Sequence, residues 1–454
     1  MTEPGRPGNL VPGPTEPPHP ARPGSDDAGP GYARYVLGIV FLTSAVSMLD
    51  RQILVILIPP IQSEFGVSDT EMGLLTGLGF AAVYSVAGLP VARWADHAVR
   101  RSIIALGLLV WSGLTMVTGA STSFFHVFAA RMGVGIAQTA AGGPVQSLVS
   151  DYFPPERRAG ALGLLATGGA LGMALALLLG GWVNELFGWR WAFVAAGLPG
   201  VGLAAIVRFT VREPIRGAME VAGSDTASYS SREVWRFLAG LPSFRHLLAC
   251  TALHAFASMG ASAWIPAFLI RAHGLGTGAA GSWLALVAAL AFVGTLGGGL
   301  LADRLGRRDA RWYMWLPGIA TLAGIPFAAA FLLSEEVVPE GIAWYAVAAL
   351  VGGVWTGPSF ALVQGLAKVS MRATAAAFVS LTINLIGMGL GPLAVGALSD
   401  ALAPSYADDG LRYALLLLLA ANGWAAVHHF LAARTLRVDL EAKASGSAGA
   451  ALRT

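Results

Sequence analysis

Twelve apolar runs, each long enough to cross a bilayer, constrain this chain more than any other feature. They fall at about 35–58, 71–92, 102–121, 124–149, 159–184, 190–210, 246–270, 279–301, 312–333, 341–366, 373–398 and 410–433. A spanning helix needs about 20 mostly apolar residues, and within lipid its backbone polar groups must be satisfied inside the segment. The reading is therefore an all-α membrane protein with twelve transmembrane helices. Only 12% of the 454 residues are charged, about half the share of a soluble domain. The net charge of +3 reflects arginines gathered in loops. No loop joins a long basic run to aromatics, so no nucleic-acid partner is expected. Cys250, the single cysteine, lies in an apolar stretch and has no second thiol to pair with.

The first 30 residues hold nine prolines and five glycines, a composition that cannot offset ordering entropy by burial. Residues 1–33 are expected to form a disordered tail, with no removable signal peptide ahead of the first span. Residues 212–245 interrupt the spans midway and read as a cytoplasmic linker between six-helix bundles at 34–211 and 246–435. Residues 436–454 read as a second disordered tail. With the N-terminus in the cytoplasm, 24 of the 29 lysines and arginines lie on the cytoplasmic side. Arg190, Arg271 and Arg412 lie opposite, and Arg51 and Arg131 fall inside spans. This bias places both termini in the cytoplasm.

The two halves echo each other. Ala95-Asp96-His97-Ala98-Val99-Arg100-Arg101 follows span 2, and Ala302-Asp303-Arg304-Leu305-Gly306-Arg307-Arg308 follows span 8, an offset of 207 residues. Ile58-Pro59 and Ile265-Pro266 share that offset, while Pro144 and Arg158 match Pro358 and Arg372 with a shift of 214. Such a duplication describes two pseudo-symmetric bundles, the architecture of a secondary transporter.

The Asp-x-x-x-Arg-Arg loop, present twice, resembles motif A of the major facilitator superfamily. More narrowly the chain resembles the Spinster family within it. The residues that carry this are Asp50-Arg51-Gln52-Ile53-Leu54, Ser68-Asp69 with Gly73-Leu74-Leu75-Thr76-Gly77, and Ser150-Asp151-Tyr152-Phe153-Pro154-Pro155. Further along come Gly188-Trp189-Arg190-Trp191-Ala192-Phe193, Arg212-Glu213-Pro214, and the run from Asn384 through Gly389 to Pro392. The match covers about residues 35 to 435. In the first motif A copy His97 and Val99 stand where the second has Arg304 and Gly306. Span 4 has Gly135-Ile136-Ala137-Gln138 where the family usually shows Gly-Glu-Ala, so an amide replaces an expected cavity carboxylate. The resemblance implies the major facilitator fold, a bacterial cytoplasmic membrane and lipid-like substrates such as lysophospholipids or sphingoid phosphates. It also implies that the matching aspartate and arginines serve coupling and substrate binding.

Ionisable groups inside a bilayer are functional candidates by default. Asp50, Arg51 and Arg131 are the strongly charged residues well inside spans, all in the first half. Asp50 on span 1 and Arg131 on span 4 lie at similar depth and are expected to pair, with Asp50 the proton site and Arg131 tuning it; the alternative is a static ion pair that fixes helix register. Adjacent residues point in different directions around a helix, so Arg51 is assigned to an anionic headgroup or to steadying the gate, with Arg131 competing for substrate. Gln138, two turns below Arg131, can hydrogen-bond substrate or Asp50. Asn384 is a further substrate-binding candidate, and His254 is read as an interhelical hydrogen bonder in preference to a proton relay. Gln52, Tyr84, Gln146, Trp264 and Gln364 are possible cavity residues. Asp96 and Asp303, with Arg100, Arg101, Arg304, Arg307 and Arg308, form gating loops in which each carboxylate can face a helix N-terminus of the other half. They would latch the cytoplasmic side in an outward-facing state.

No phosphate-binding loop, zinc-protease motif, nucleophile elbow or paired metal-ligand cysteines occur, so neither enzyme chemistry nor a cofactor or metal is expected. The reading is a monomeric secondary transporter of an amphipathic or lipid-like solute, proton-coupled through Asp50. Its rivals are an organic-anion symporter or drug antiporter on the same fold, a non-transporting receptor, and a lipid-headgroup enzyme. The topology is directly testable in a Cys250→Ser background. An impermeant maleimide applied to intact cells will label Arg190→Cys and Arg412→Cys and spare Arg158→Cys and Arg308→Cys; the reverse pattern would invert the assignment.

Overall fold

The computed structural model describes residues 29–216 and 229–444. Most of the two expected tails and the centre of the linker lie outside them. Eleven helices among the described residues are long and apolar enough to cross a membrane. They are α1 (Gly31–Ile56), α2 (Asp69–His97), α3 (Arg100–Thr118), α5 (Pro155–Phe187), α6 (Trp189–Thr210), α7 (Pro242–His273), α8 (Thr277–Gly306), α9 (Trp312–Leu333), α10 (Val337–Leu366), α11 (Val369–Tyr406) and α12 (Gly410–Lys443). The twelfth, α4, is broken into Phe124–Gln138 and Gly143–Tyr152 by a 3-10 turn. The break falls where Gly142 leaves helical geometry (φ −85°, ψ −100°) just before Pro144 in the first turn of the second piece, a position that tolerates proline.

The helices form two six-helix bundles. In the first, α1 packs on α5 and α3 on α6; in the second, α12 packs on α7 and α9. The bundles touch through α2 against α11 and α5 against α8. Close backbone approach makes this possible: a Cβ on Gly73 would lie 2.7 Å from the Pro392 carbonyl oxygen, the role small residues play between membrane helices.

The apolar core shows where the bundles part. At the end away from the chain termini one cluster draws on both, joining Ile53, Leu57, Met72 and Leu177 to Trp264, Phe268, Leu284 and Val395. At the terminus-bearing end each bundle keeps its own cluster, around Trp111 and Leu148 in the first and around Phe244 and Leu366 in the second. The molecule is thus sealed at one end and divided at the other.

The linker carries a short helix, Ser231–Ala239, started by a capping box between Ser230 and Glu233. One boundary expectation is corrected, that of the C-terminal tail. The last helix runs on through residues expected in the disordered C-terminal tail. It does so because its polar side chains find partners: Asp439 accepts from the Ser243 backbone N–H at 2.8 Å, Arg437 binds Asp309 at 2.8 Å, and Lys443 donates to the Gly365 carbonyl. Hydrogen bonds from Arg311 and Arg437 pull the Asp309 carboxyl down from 3.8 to about 2. Its folded value is depressed, so its contribution is complete above 3.8 and is lost as pH falls through about 2. Amide exchange of residues 434–443 will therefore remain slow at pH 4 in the wild type and accelerate in Asp309→Asn already at neutral pH. Equal protection in the two proteins would remove Asp309 as the anchor.

Candidate functional site

Asp50, on α1, is fully buried. Ser112 Oγ of α3 donates to its Oδ2 at 2.9 Å, while Oδ1 is buried without a hydrogen-bond partner. The expected side-chain ion pair with Arg131 is not formed. Arg131 instead donates from Nη1 to the main-chain carbonyl of Asp50 at 2.8 Å and from Nη2 to that of Arg51. A helical carbonyl keeps a second lone pair after its intrahelical bond, so two successive carbonyls on the α1 face toward α4 can hold a guanidinium. The Asp50 carboxylate points instead toward α3.

Arg51 turns toward α4, as its adjacency to Asp50 requires. Its Nε donates to Gln138 Oε1 at 3.2 Å, and Gln138 Nε2 donates to the Ser47 carbonyl at 3.1 Å. Gln138 therefore orients Arg51 and does not reach Asp50. Phe80 underlies both cations, 5.2 Å from the Arg51 guanidinium and 5.0 Å from that of Arg131; Tyr84 lies 5.1 Å from Arg51 and stacks on Phe80. Aromatic faces attract cations, which helps two guanidiniums share one site.

Beside them lies a cavity of about 620 Å³, within the usual range for small-molecule sites. It is set mainly in the second bundle, with walls of Leu284, Val287, Phe331, Leu415 and Leu418, and is closed by Gln52 and Val55 of α1 and Met173 and Leu177 of α5. His254, Thr321 and Asn422 are polar points on its wall. A smaller cleft of about 40 Å³ contains Arg51, Arg131 and Phe80. Gln52, Val55, Met259 and Ser262 line both spaces, so guanidiniums and apolar walls adjoin. Asn384 lines neither; it is half-buried in a widened, π-helical stretch of α11. Trp264 is a packing residue, fully buried with its indole N–H on the Pro392 carbonyl.

The motif A loops divide. Arg100 is buried and bound to Asp151 at 2.5 Å and Glu213 at 2.7 Å, and Arg101 donates its backbone N–H to Glu213. These partners belong to the Ser150-Asp151 and Arg212-Glu213-Pro214 motifs, so three separated sequence signals form one ion cluster. Asp96 and Asp303 are exposed, as are Arg304, Arg307 and Arg308. Asp303 accepts from Tyr313 of its own bundle at 2.8 Å. The expected latch to the other half is not made in this arrangement, because the bundles are apart at that end.

The opposite end carries a polar clamp that sequence reasoning missed. Asp69 binds Arg271 at 2.9 Å and accepts from Ser399 Oγ at 2.7 Å. Asp400 accepts from the Asp69 and Thr70 backbone N–H groups at 3.1 and 2.8 Å. Nearby, Glu185 accepts from the Gly278 N–H at 2.7 Å at the start of α8. Asp69 was visible only as part of a motif; its partners are some 200 and 330 residues away.

Two six-helix bundles joined at one end, with a central amphipathic cavity between membrane spans, define a secondary transporter rather than an enzyme. The sequence matches the Major Facilitator Superfamily over residues 40–440. The chain belongs to that superfamily. It is similar to an MFS-type efflux pump of Mycolicibacterium smegmatis, 33% identical over 421 residues, covering 92% of this chain and 96% of that protein. A sphingosine-1-phosphate transporter of Danio rerio is 24% identical over 408 residues, 84% of this chain and 80% of that one. Among solved structures, a bacterial homolog of the human lysosomal transporter Spinster, inward-facing and unoccupied, superposes with a TM-score of 0.84. It is 29% identical and covers 90% of this chain and 98% of that one. The Spinster resemblance read from the motifs is thereby upheld.

Any conformation that opens the sealed end must break the clamp. Arg271→Ala removes two charge-assisted hydrogen bonds to Asp69, each worth about 1.5–3 kcal/mol. Spin labels placed across this end, at Glu71→Cys and Leu402→Cys, will show a larger long-distance population in Arg271→Ala by pulsed electron resonance. An unchanged distance distribution would show that the clamp does not set the equilibrium.

Proposed function

We propose that this transporter moves an amphipathic anion across the bacterial cytoplasmic membrane by alternating access, with headgroup at Arg51 and apolar portion in the large cavity. The observation that carries it is the shared wall of Gln52, Val55, Met259 and Ser262 between the guanidinium cleft and the apolar chamber. Arg51 is the better headgroup ligand, being half-buried; Arg131 is occupied by two main-chain carbonyls. The name of the zebrafish relative, a sphingosine-1-phosphate transporter, agrees with an anionic head on an apolar chain. Drug export on the same scaffold is the second reading, favoured by the chamber's apolar walls and by the mycobacterial efflux relative.

The arginine bias supports both termini in the cytoplasm, which would make the divided end cytoplasmic and this conformation inward-facing. Monomer is the working unit of this reading. Coupling is assigned to Asp50. Its carboxylate and the carbonyls at positions 50 and 51 are alternative partners for one guanidinium, so protonation of Asp50 and its pairing with Arg131 exclude one another. A swing of Arg131 between them would move α4 relative to α1.

Proteoliposomes containing a pH dye test both assignments, with lysophospholipids and a panel of amphipathic anions as solutes. Substrate-dependent proton movement will be present in wild type and absent in Asp50→Asn. Arg51→Gln will raise half-saturation for anionic solutes by about tenfold or more, the scale of one charge-assisted hydrogen bond, and leave neutral analogues unchanged. Solute flux without proton movement, alike in wild type and Asp50→Asn, would defeat the coupling assignment. Equal loss for charged and neutral solutes would defeat the headgroup assignment.

A further inference from the structure

Four of the chain's eight histidines lie on one helix seam, between α7 and α12. His254 Nε2 of α7 is 3.1 Å from His429 Nε2 of α12, and both residues are buried. Two turns toward the terminus-bearing end, His246 Nδ1 lies 2.9 Å from His428 Nδ1, both half-buried. His246 and His254 are eight residues apart on one helix, about 12 Å of rise, while His428 and His429 are neighbours in sequence. The two pairs thus run from the wall of the large cavity, where His254 sits, toward the divided end. None of this is used by the site at Asp50 and Arg51.

The hydrogen bonding of the inner pair is incomplete. A nitrogen-to-nitrogen distance of 3.1 Å holds one proton between the rings, which requires one ring to donate and the other to accept. Thr321 Oγ1 donates to the Pro317 carbonyl at 2.7 Å and lies 3.2 Å from His254 Nε2, so it is an acceptor for that nitrogen. His254 Nε2 then carries the hydrogen and His429 Nε2 accepts. The remaining nitrogen of His429, Nδ1, is buried with no partner. A neutral pair distributes two protons over four nitrogens; one more proton gives three N–H groups, with the charge shared through the central bond. One neighbour favours that charge. The Trp355 ring stacks on His254 at 5.0 Å and 5°, and stacked aromatic faces favour a cation. The facing groups are Thr321 from α9, Trp355 from α10 and Asn422 from α12, all uncharged, with Gln52 across the cavity. Trp424 of α12 lies edge-on to His428, and the cation beside the outer pair is Arg245, next to His246.

We infer that the His254–His429 pair is a second proton-binding site, in the second bundle, and that a proton there and an apolar chain in the large cavity exclude one another. His254 keeps 4% of its surface open, on the cavity wall; a chain there covers it, and a shared imidazolium is costly without that remaining contact with solvent. Binding of the apolar portion therefore expels a proton, and the histidines at 246 and 428 give it a way to the divided end. The exclusion rests on the large cavity holding the substrate's apolar portion; it does not rest on coupling through Asp50.

Imidazole ¹⁵N spectra of the full chain in nanodiscs, recorded between pH 5 and 8, observe the pair directly. Two of the eight histidines will titrate together and pass through a state with one shared proton; in His429→Gln the His254 signal will titrate alone. Both imidazoles staying neutral in fixed tautomers across this range would overturn the proton site. Affinity for a zwitterionic lysophosphatidylcholine, read by quenching of tryptophan emission, will be about tenfold weaker at pH 5.5 than at pH 8, a usual size for linked sites. That dependence will be reduced in both His254→Gln and His429→Gln. A pH dependence unchanged in both histidine variants would overturn the exclusion. Titrating histidines in a protein that binds no lysolipid would leave the proton site standing and reject the substrate class.

Discussion

The contact between Asp69 and the second bundle holds the closed side of the molecule together. A carboxylate removed from water must be paired or hydrogen-bonded. Asp69 meets that demand with Arg271 and Ser399, which belong to α7 and α11 of the opposite half. Asp400 repays the arrangement by capping the start of α2 through the backbone of Asp69 and Thr70. With polar groups satisfied across the junction, the apolar residues behind it merge into one core. At the other end the corresponding charges are satisfied locally. Arg100 is paired with Asp151 of its own bundle and Glu213 of the adjoining linker, Asp303 accepts a hydrogen bond from Tyr313 within the second bundle, and the cores stay separate.

Inside the molecule one guanidinium organises the site. Arg131 occupies the main chain of α1 at two successive positions, which fixes the register of α4 against α1. That choice leaves Asp50 to the Ser112 hydroxyl of α3 and leaves Arg51 to Gln138 and two aromatic rings. An acid at position 138 would compete with Asp50 for the same cations; the amide there satisfies Arg51 without adding charge. The first bundle thus holds the charge and the second the apolar volume.

Much of this was legible in the residues. The span count, the two-bundle division and the motif A loops follow from apolar run length and from the offset between Asp96 and Asp303, because a helix in lipid admits few alternatives. The intramembrane charges at 50, 51 and 131 stand out against an apolar background for the same reason. Less legible was their pairing. Depth along two helices places Asp50 near Arg131, but it does not say which way a side chain leaves its helix, and here the guanidinium met main-chain oxygens. Asn384 stands out for its polarity, yet it lines neither cavity. His429 carries no signal in the sequence, four residues from the end of the last apolar run; only its distance to His254 gives it meaning.

The sequence by itself determined that this chain spans a membrane in two related halves, and which few polar groups are buried with them. Hydropathy and repeat spacing are local properties, and the bilayer converts them directly into helices. The tertiary structure decided which end is sealed, that Asp69 closes it, that Arg131 reads the backbone, and that two histidines on distant helices share one hydrogen bond. Those outcomes depend on how helices more than 170 residues apart rotate against each other, and rotation is set by packing on all sides at once.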